Sequence, residues 1–284
     1  TNQNTSLKRI YSVFGTTSIG FKDQLYLDLS ARNDWSSTLP IENRSYFYHS
    51  EGLSWLPSHT FKLPRAISMM KVYVNWAQTG NDTDPYQLNN SLGTGNWGDL
   101  ITTNMPGILL NPTLKPEIQT SREFGLNFNL YQNRIRFEGT YFNMKNRNQI
   151  LDIKTSPGSG YSASKINAGQ LSSRGLELSL GFTPIRDVKG FNMDVNLNFT
   201  RIRTRIDELY GDMQYYSLWD DNGGGAFTWV GEDIGNIYSR GYMQVTDPES
   251  PYYKWPILSK NGDYQPDNAF ASREKVGNFN PDFI

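Results

Sequence analysis

Apolar and polar residues alternate along much of the chain with a period of two, the pattern of a strand that turns one face to an apolar phase. From Leu25 to Arg32 one face reads Leu25, Leu27, Leu29 and Ala31, and the other Tyr26, Asp28, Ser30 and Arg32. From Glu123 to Leu130, Phe124, Leu126, Phe128 and Leu130 oppose Glu123, Gly125, Asn127 and Asn129. From Gly175 to Phe182, Leu176, Leu178, Leu180 and Phe182 oppose Gly175, Glu177, Ser179 and Gly181. From Asn192 to Thr200, Met193, Val195, Leu197 and Phe199 oppose a row of Asn, Asp and Thr. Fainter alternation runs through 11–20, 45–55, 69–77 and 134–144, so the pattern predicts about eight strands. Most of these runs reach the roughly 9–11 residues of a tilted membrane-crossing strand, where soluble strands centre on about 5–6.

The segments between the strands carry a second pattern. Residues 21–24 and 132–133 are short turns, and 57–65 and 183–190 are of medium length. Residues 33–44, 80–120, 145–165 and everything after 206 are long. Shorter and longer connections therefore alternate, which puts turns at one end of the sheet and loops at the other. Outer-membrane barrels have that asymmetry; a soluble sandwich has no reason to keep it so regularly. Aromatics gather near the predicted strand ends (Tyr11, Phe14, Phe21, Tyr46, Phe47, Tyr48, Trp55, Tyr131, Phe191), where they read either as interfacial girdles or as ordinary β-formers.

Composition narrows the choice. The 284 residues include 27 Lys and Arg against 28 Asp and Glu, a net charge of -1, which excludes a basic nucleic-acid footprint. There is no Cys, hence no disulfide framework, thiolate metal site or Cys nucleophile. Aromatics make up 14% of a chain only 37% hydrophobic, with a mean hydropathy of -0.59. No apolar run approaches the 18 or so residues of a membrane helix, and the polar first nine residues contain no signal-peptide core. Two classes fit: a loop-rich soluble β-protein, such as a carbohydrate-binding sandwich or propeller, and a transmembrane β-barrel whose strands alternate lipid-facing and lumen-facing residues.

Candidate chemistry is sparse. With only His49 and His59 a hydrolytic triad has little to draw on, and the chain reads as a non-enzyme without cofactor or metal. His49 and Glu51 share a strand face as a wall or surface pair. Asp82 and Asp84 have calcium-like spacing but lack the glycine and terminal glutamate of a loop of that kind, so they read as turn formers before Pro85. Gly223-Gly224-Gly225 lacks the strand, lysine and helix of a phosphate loop. Asp28, Arg32, Lys71, Glu123, Arg136, Glu138, Glu177 and Asp194 all fall on the polar faces, as a charge network expected to pair across strands or with a plug. The candidates for substrate contact are loop residues: Trp97 and Asp99, then Tyr215, Tyr216, Trp219, Asp220, Asp221 and Trp229. Sugar C–H faces stack on aromatic rings and hydroxyls donate to carboxylates. The competing reading is that these rings pack the loops together.

Several ordered motifs resemble the SusC/RagA-type TonB-dependent outer-membrane transporters. They are Arg32-Asn33-Asp34-Trp35-Ser36-Ser37-Thr38-Leu39-Pro40 with Asn43-Arg44-Ser45-Tyr46-Phe47-Tyr48; Trp76-Ala77-Gln78-Thr79-Gly80-Asn81-Asp82-Thr83-Asp84-Pro85-Tyr86; Leu114-Lys115-Pro116-Glu117; and Ile166-Asn167-Ala168-Gly169-Gln170 leading to Arg174-Gly175-Leu176-Glu177-Leu178. Later come Gly231-Glu232-Asp233-Ile234-Gly235, residues 238–242, and Gly277-Asn278-Phe279-Asn280-Pro281-Asp282-Phe283. The resemblance implies an all-β fold, a transmembrane antiparallel β-barrel segment with about eight strands of a barrel of about 22 closed by an N-terminal plug. All of residues 1–284 would belong to one barrel domain, with the plug and the closing strands outside this chain and a next strand starting at Asn280-Pro281-Asp282-Phe283. It implies import of a large nutrient, a glycan or else a peptide, across the outer membrane of a Bacteroidetes-like Gram-negative cell. The implied partners are a SusD-like lipoprotein lid, TonB acting through the missing N-terminal part, the lipid bilayer and the substrate, with room for a dimer of transporter–lid pairs.

Overall fold

The computed structural model describes residues 5–221, 224–267 and 273–280. Its strands in chain order are β1 (Ile10–Phe21), β2 (Leu25–Ser36), β3 (Ser45–Trp55), β4 (Ile67–Asn81), β5 (Gly93–Trp97), β6 (Leu100–Asn104), β7 (Ile108–Leu109), β8 (Glu117–Leu130), β9 (Ile135–Arg147), β10 (Ile150–Lys154), β11 (Ala163–Asn167), β12 (Gln170–Val188), β13 (Phe191–Glu208), β14 (Tyr215–Asp221), β15 (Gly224–Trp229), β16 (Asn236–Ser239) and β17 (Glu274–Asn278). A helical turn, α1 (Pro57–Thr60), lies between β3 and β4. The chain divides into two compact units, Thr1–Ile202 with the last two residues, and Arg203–Asp282.

In the first unit an eight-stranded sheet runs β1-β2-β3-β4-β8-β9-β12-β13, one strand for each of the eight that the alternation predicts. Its strands are 11 to 19 residues long, enough to cross a bilayer at a tilt. From β1 to β12 the neighbours pair antiparallel, with one register shift between Ile67 and Met69 at the turn end of the β4–β8 ladder. That register aligns the apolar faces of separate strands into rows. One row reads Ile19, Leu27, Leu53, Val74, Phe124, Tyr141, Leu176. The next, nearer the short turns, reads Phe21, Leu25, Trp55, Val72, Leu126, Gly139, Leu178. Leu53, Val74 and Phe124 are each more than half exposed. A soluble monomer rarely leaves so large a contiguous apolar patch uncovered, so this face is built for a medium other than water.

The connections follow the expected division. At one end are Lys22 to Gln24, residues 56–66 with α1, residues 131–134, and Lys189-Gly190. At the other are 37–44, 82–116, 148–169 and the segment after Glu208. The tight turns use left-handed backbone: Lys22 and Asp23 have φ of 52° and 53°, and Lys189 and Gly190 55° and 82°. Short turns of this hand match the twist of the flanking strands.

Three expectations need correction. Residues 183–190 are not a medium loop, because β12 continues to Val188 and turns in two residues. The β12–β9 pairing ends at Phe182 opposite Ile135, so β9 has no ladder position facing Pro184 and its missing N–H leaves that pairing intact. Tyr46 and Tyr48 do not join an aromatic girdle. They share the polar face, opposite Asp34 and Arg32, while Phe47 and Trp55 lie on the apolar face. The count of about eight strands covers only the wall, since the long loops carry short strands of their own. The 82–116 and 148–169 loops hold the β5–β6 hairpin and a small sheet in the order β10-β11-β7.

Apart from Phe142 on β9, the buried apolar packing in this unit sits at the loop end of the wall. Leu39, Tyr46 and Leu114 form a buried cluster, with Tyr48, Leu88 and Ile150 against it, so three loops are rooted on one spot. In the second unit β14-β15-β16-β17 form a four-stranded sheet around buried Ala226, Phe227 and Thr228. Gly223, and the expected strand start from Pro281 onward, lie outside the described residues.

Candidate functional site

The polar face of the wall is one candidate surface. Ser18, Asp28, Gly52, Asn75 and Glu123 line up in register across five strands and border a groove of about 550 Å³. Gly52 adds no side chain, and the Asn75 side chain takes up the room, with Oδ1 2.9 Å from where a Cβ would stand. Ser18 Oγ donates to Asp28 Oδ1 at 2.5 Å. Ser121 Oγ and Asn75 Nδ2 donate to Glu123 at 3.2 and 3.4 Å. Neither acid has an ion pair among the described residues.

The other expected charges divide three ways. Arg136 reaches Asp194 across strands at 3.4 Å and donates to Thr183 Oγ1 at 2.9 Å. Arg32 donates to Asp34 Oδ1 at 2.7 Å, two residues along its own strand, and Tyr48 donates to the same carboxylate at 2.7 Å. The Lys71 ammonium lies 5.5 Å from the centre of the Tyr73 ring. Glu138 and Glu177 are exposed and have no ion pair among the described residues. Asp34 was missed because the predicted strand stopped at Arg32; carrying the alternation two residues further places it on this face.

Glycines on the polar face seat aromatic rings from the adjacent strands. Tyr73 covers Gly125 and Phe142 covers Gly175, while near the loop end of β4, in the row of Ile118 and Arg147, the ring of Tyr46 lies where a Cβ on Gly80 would be. Tyr73 and Thr140 hydroxyls meet at 2.8 Å. Polar-face glycine followed by a facing aromatic is the sequence signal for this packing, and it is weak without the register.

The loop end is anchored by Asp82. Its carboxylate accepts from Lys8, Ser36 and Thr38, tying the start of the 82–116 loop to the segment before β1 and to the end of β2 with the residues that follow it. Burial favours the neutral acid, but these donors outweigh it and hold the carboxyl below the ordinary carboxylate range. Asp82 is thus a structural tie rather than a free turn residue, and no cluster of metal-ligating side chains occurs among the described residues. His49 Nδ1 and Glu51 Oε1 are 2.7 Å apart on the wall's apolar face.

The loop residues chosen for substrate contact fall into two settings. Trp97 ends β5 at the tip of a hairpin closed by Gly98 and Asp99, and is 81% exposed. In the second unit Tyr215 and Trp229 instead join Phe227 and Tyr238 in one aromatic cluster, with centroids 4.8 to 6.5 Å apart. Burial, with Glu232 beside it, pushes the Tyr238 hydroxyl above its usual range. A register slip between Ser217 and Trp219 turns Trp219 onto the face opposite Tyr215, where it is about half exposed. Tyr216 is half-buried, Asp221 is exposed at the end of β14, and Asp220 is held by Arg273 at 3.0 Å. Arg273 also stacks on Phe227 at 4.6 Å.

An eight-strand wall with one apolar and one polar face, turns at one end and structured loops at the other, can now be set beside known proteins. The sequence profile described as "TonB dependent receptor-like, beta-barrel" matches residues 1–279. This chain belongs to that family. The TonB-dependent receptor P26 of Formosa agariphila is 27% identical over 210 residues, covering 72% of this chain and 21% of that protein. The TonB-dependent receptor SusC of Bacteroides thetaiotaomicron is 26% identical over 220 residues, covering 73% and 22% respectively. Among solved structures, the RagAB peptide transporter superposes with a TM-score of 0.80 at 22% identity, over 97% of this chain and 30% of that one. The chain therefore spans about a fifth of the length of these curated relatives. It is a SusC/RagA-type TonB-dependent receptor chain with the fold of a partial barrel.

Proposed function

We propose that this chain forms part of the wall and loops of an outer-membrane, TonB-dependent importer of a large nutrient, and that residues 1–284 belong to one barrel domain. One observation carries the reading: an apolar row from Ile19 through Leu27, Leu53, Val74, Phe124 and Tyr141 to Leu176 runs across seven strands, backed by a polar face with a groove. Such a wall performs no bond chemistry. It separates lipid from lumen and holds the loops at one mouth.

The loops face the cell exterior in this proposal and meet a SusD-like lipoprotein lid. TonB acts through a plug in the longer protein, and transporter–lid pairs can associate as dimers. An oligosaccharide is the favoured nutrient, because an exposed Trp beside a carboxylate at a hairpin tip suits a sugar ring. The name of the RagAB neighbour makes a peptide the second candidate. The test is site-directed spin labelling of the full-length protein in liposomes, at Leu126 and Leu178 against Glu123 and Glu177. Labels at the leucines should be accessible to oxygen in the lipid, and labels at the glutamates to an aqueous reagent. Aqueous accessibility at the leucines would overturn the proposal.

A further inference from the structure

The apolar face changes character at one register row. Val74, Phe124, Tyr141 and Leu176 form the last fully apolar row on β4, β8, β9 and β12. Two residues nearer the loops, the same four strands present Trp76, Arg122, Asn143 and Arg174. The row above presents Gln78, Thr120, Lys145 and Ser172, and Arg147 follows opposite Ile118 and Gln170. Four cations on three adjacent strands therefore sit directly above the apolar band.

These cations differ from those on the polar face. Arg32 and Arg136 are neutralised by Asp34 and Asp194. Arg122, Lys145, Arg147 and Arg174 have no ion pair among the described residues. Trp76, Gln78, Thr120, Arg122, Asn143, Lys145 and Arg147 also enclose a pocket of about 380 Å³ without a carboxylate in its lining. Gln78 Nε2 donates to Thr120 Oγ1 at 3.2 Å, which fixes the back of that pocket. Three like charges around one cavity repel each other until an anion enters. Arginine forks and a lysine ammonium are the donors that bind phosphate best.

We propose that this pocket binds the phosphorylated headgroup of an outer-leaflet lipid. The site deepens the membrane reading and rests on it: acyl chains would lie over the Val74–Phe124–Leu176 row, with the phosphate in the rows above it among Arg122, Lys145 and Arg147. Cations just above an apolar band meet the headgroup layer, where each contributes to holding an anionic lipid. A free phosphate lacks the acyl chains that the row below is placed to receive.

The experiment uses the full-length protein in detergent, native mass spectrometry, and two probes: monophosphoryl lipid A and the same lipid dephosphorylated. Wild type should retain the phosphorylated probe at least about tenfold more than the dephosphorylated one. This comparison needs no variant, so a folding defect cannot hide the answer. The triple variant Arg122→Gln, Lys145→Gln, Arg147→Gln should lose that preference and leave the dephosphorylated probe unaffected. Equal retention of both probes by wild type, or an undiminished preference in the variant, overturns the site. A spin label at Leu126 separates the two levels of failure. Oxygen-accessible label without phosphate preference sinks the lipid site alone, while water-accessible label sinks the membrane reading and the site together.

Discussion

Replacing Gly125 by Ala tests whether aromatic rings seated on glycines hold the strands of the wall together. Tyr73 of β4 stands opposite Gly125 of β8, and its ring occupies the space that a Cβ would need. Its hydroxyl meets Thr140 Oγ1 of β9 at 2.8 Å, so one side chain links three strands. With Ala at 125 the ring must swing away. The hydroxyl pair is lost, at about 1 kcal/mol, and the displaced ring strains its surroundings by about 1–3 kcal/mol. Lower unfolded-state entropy returns about 0.5–1 kcal/mol. The net expectation is a loss of about 1–3 kcal/mol. Tyr73→Phe should cost only about 1 kcal/mol, since the ring stays on Gly125. In a Tyr73→Ala background the Gly125→Ala change should become neutral or slightly stabilising, a strong coupling in a double-mutant cycle. The readout is urea unfolding of the full-length protein, followed by the heat-sensitive gel mobility of a folded barrel. An equal loss from Gly125→Ala with and without the Tyr73 ring would refute the reasoning.

Three further outcomes can be checked on the same protein. Leu178→Arg should cost about 2–4 kcal/mol if the residue lies near the bilayer midplane, whereas Glu177→Gln, on the other face, should leave unfolding almost unchanged. Asp82 has its pKa lowered in the folded state, so its stabilisation is complete above the ordinary carboxylate range and is lost as pH falls through the depressed folded value; limited proteolysis of the 82–116 loop should rise with acid, and Asp82→Asn should flatten that dependence. Replacing Trp97 and Trp219 together by Ala should weaken uptake of the cognate nutrient about tenfold or more at limiting concentration, with normal surface levels; unchanged growth would mean these rings pack against other protein.

The wall was readable from sequence because a bilayer imposes its period on every strand. Each side-chain flip exchanges lipid for water, so errors of parity are expensive and the pattern stays clean from Leu25 to Leu29 and from Leu176 to Phe182. Strand ends were less readable. Near the loops the apolar face no longer needs to be apolar, as Arg122 and Lys145 illustrate, and the alternation fades while hydrogen bonding continues. The loop strands escaped for a related reason: Gly93–Trp97 and Leu100–Asn104 pair through their backbones and bury little, so no period marks them. The candidate contacts divide on a detail that no composition reveals. One extra residue near Leu218 decides that Trp219 leaves the aromatic cluster that Tyr215 and Trp229 join. Asp82 was legible as an acid in a turn, but its three donors come from segments 44 to 74 residues away in sequence.

The distribution of burial says where function can reside. A wall bathed in lipid on one face and water on the other needs no core of its own, because its backbone is satisfied strand to strand. The loops lack that support, and it is there that Leu39, Leu114 and Asp82 are buried, with Tyr46 at the adjoining end of β3. Side-chain packing is therefore concentrated at the end of the wall that, on the proposed function, holds its shape against ligand and lid. Asp82 and the cluster around Leu114 tie down loop bases, while Trp97 stands exposed at a hairpin tip beyond them. Substitutions at Leu114 or Asp82 should consequently alter loop protection and nutrient capture before they alter insertion of the wall. A chain in which they abolished insertion first would place the folding information in the loops, against the logic of the strand pattern.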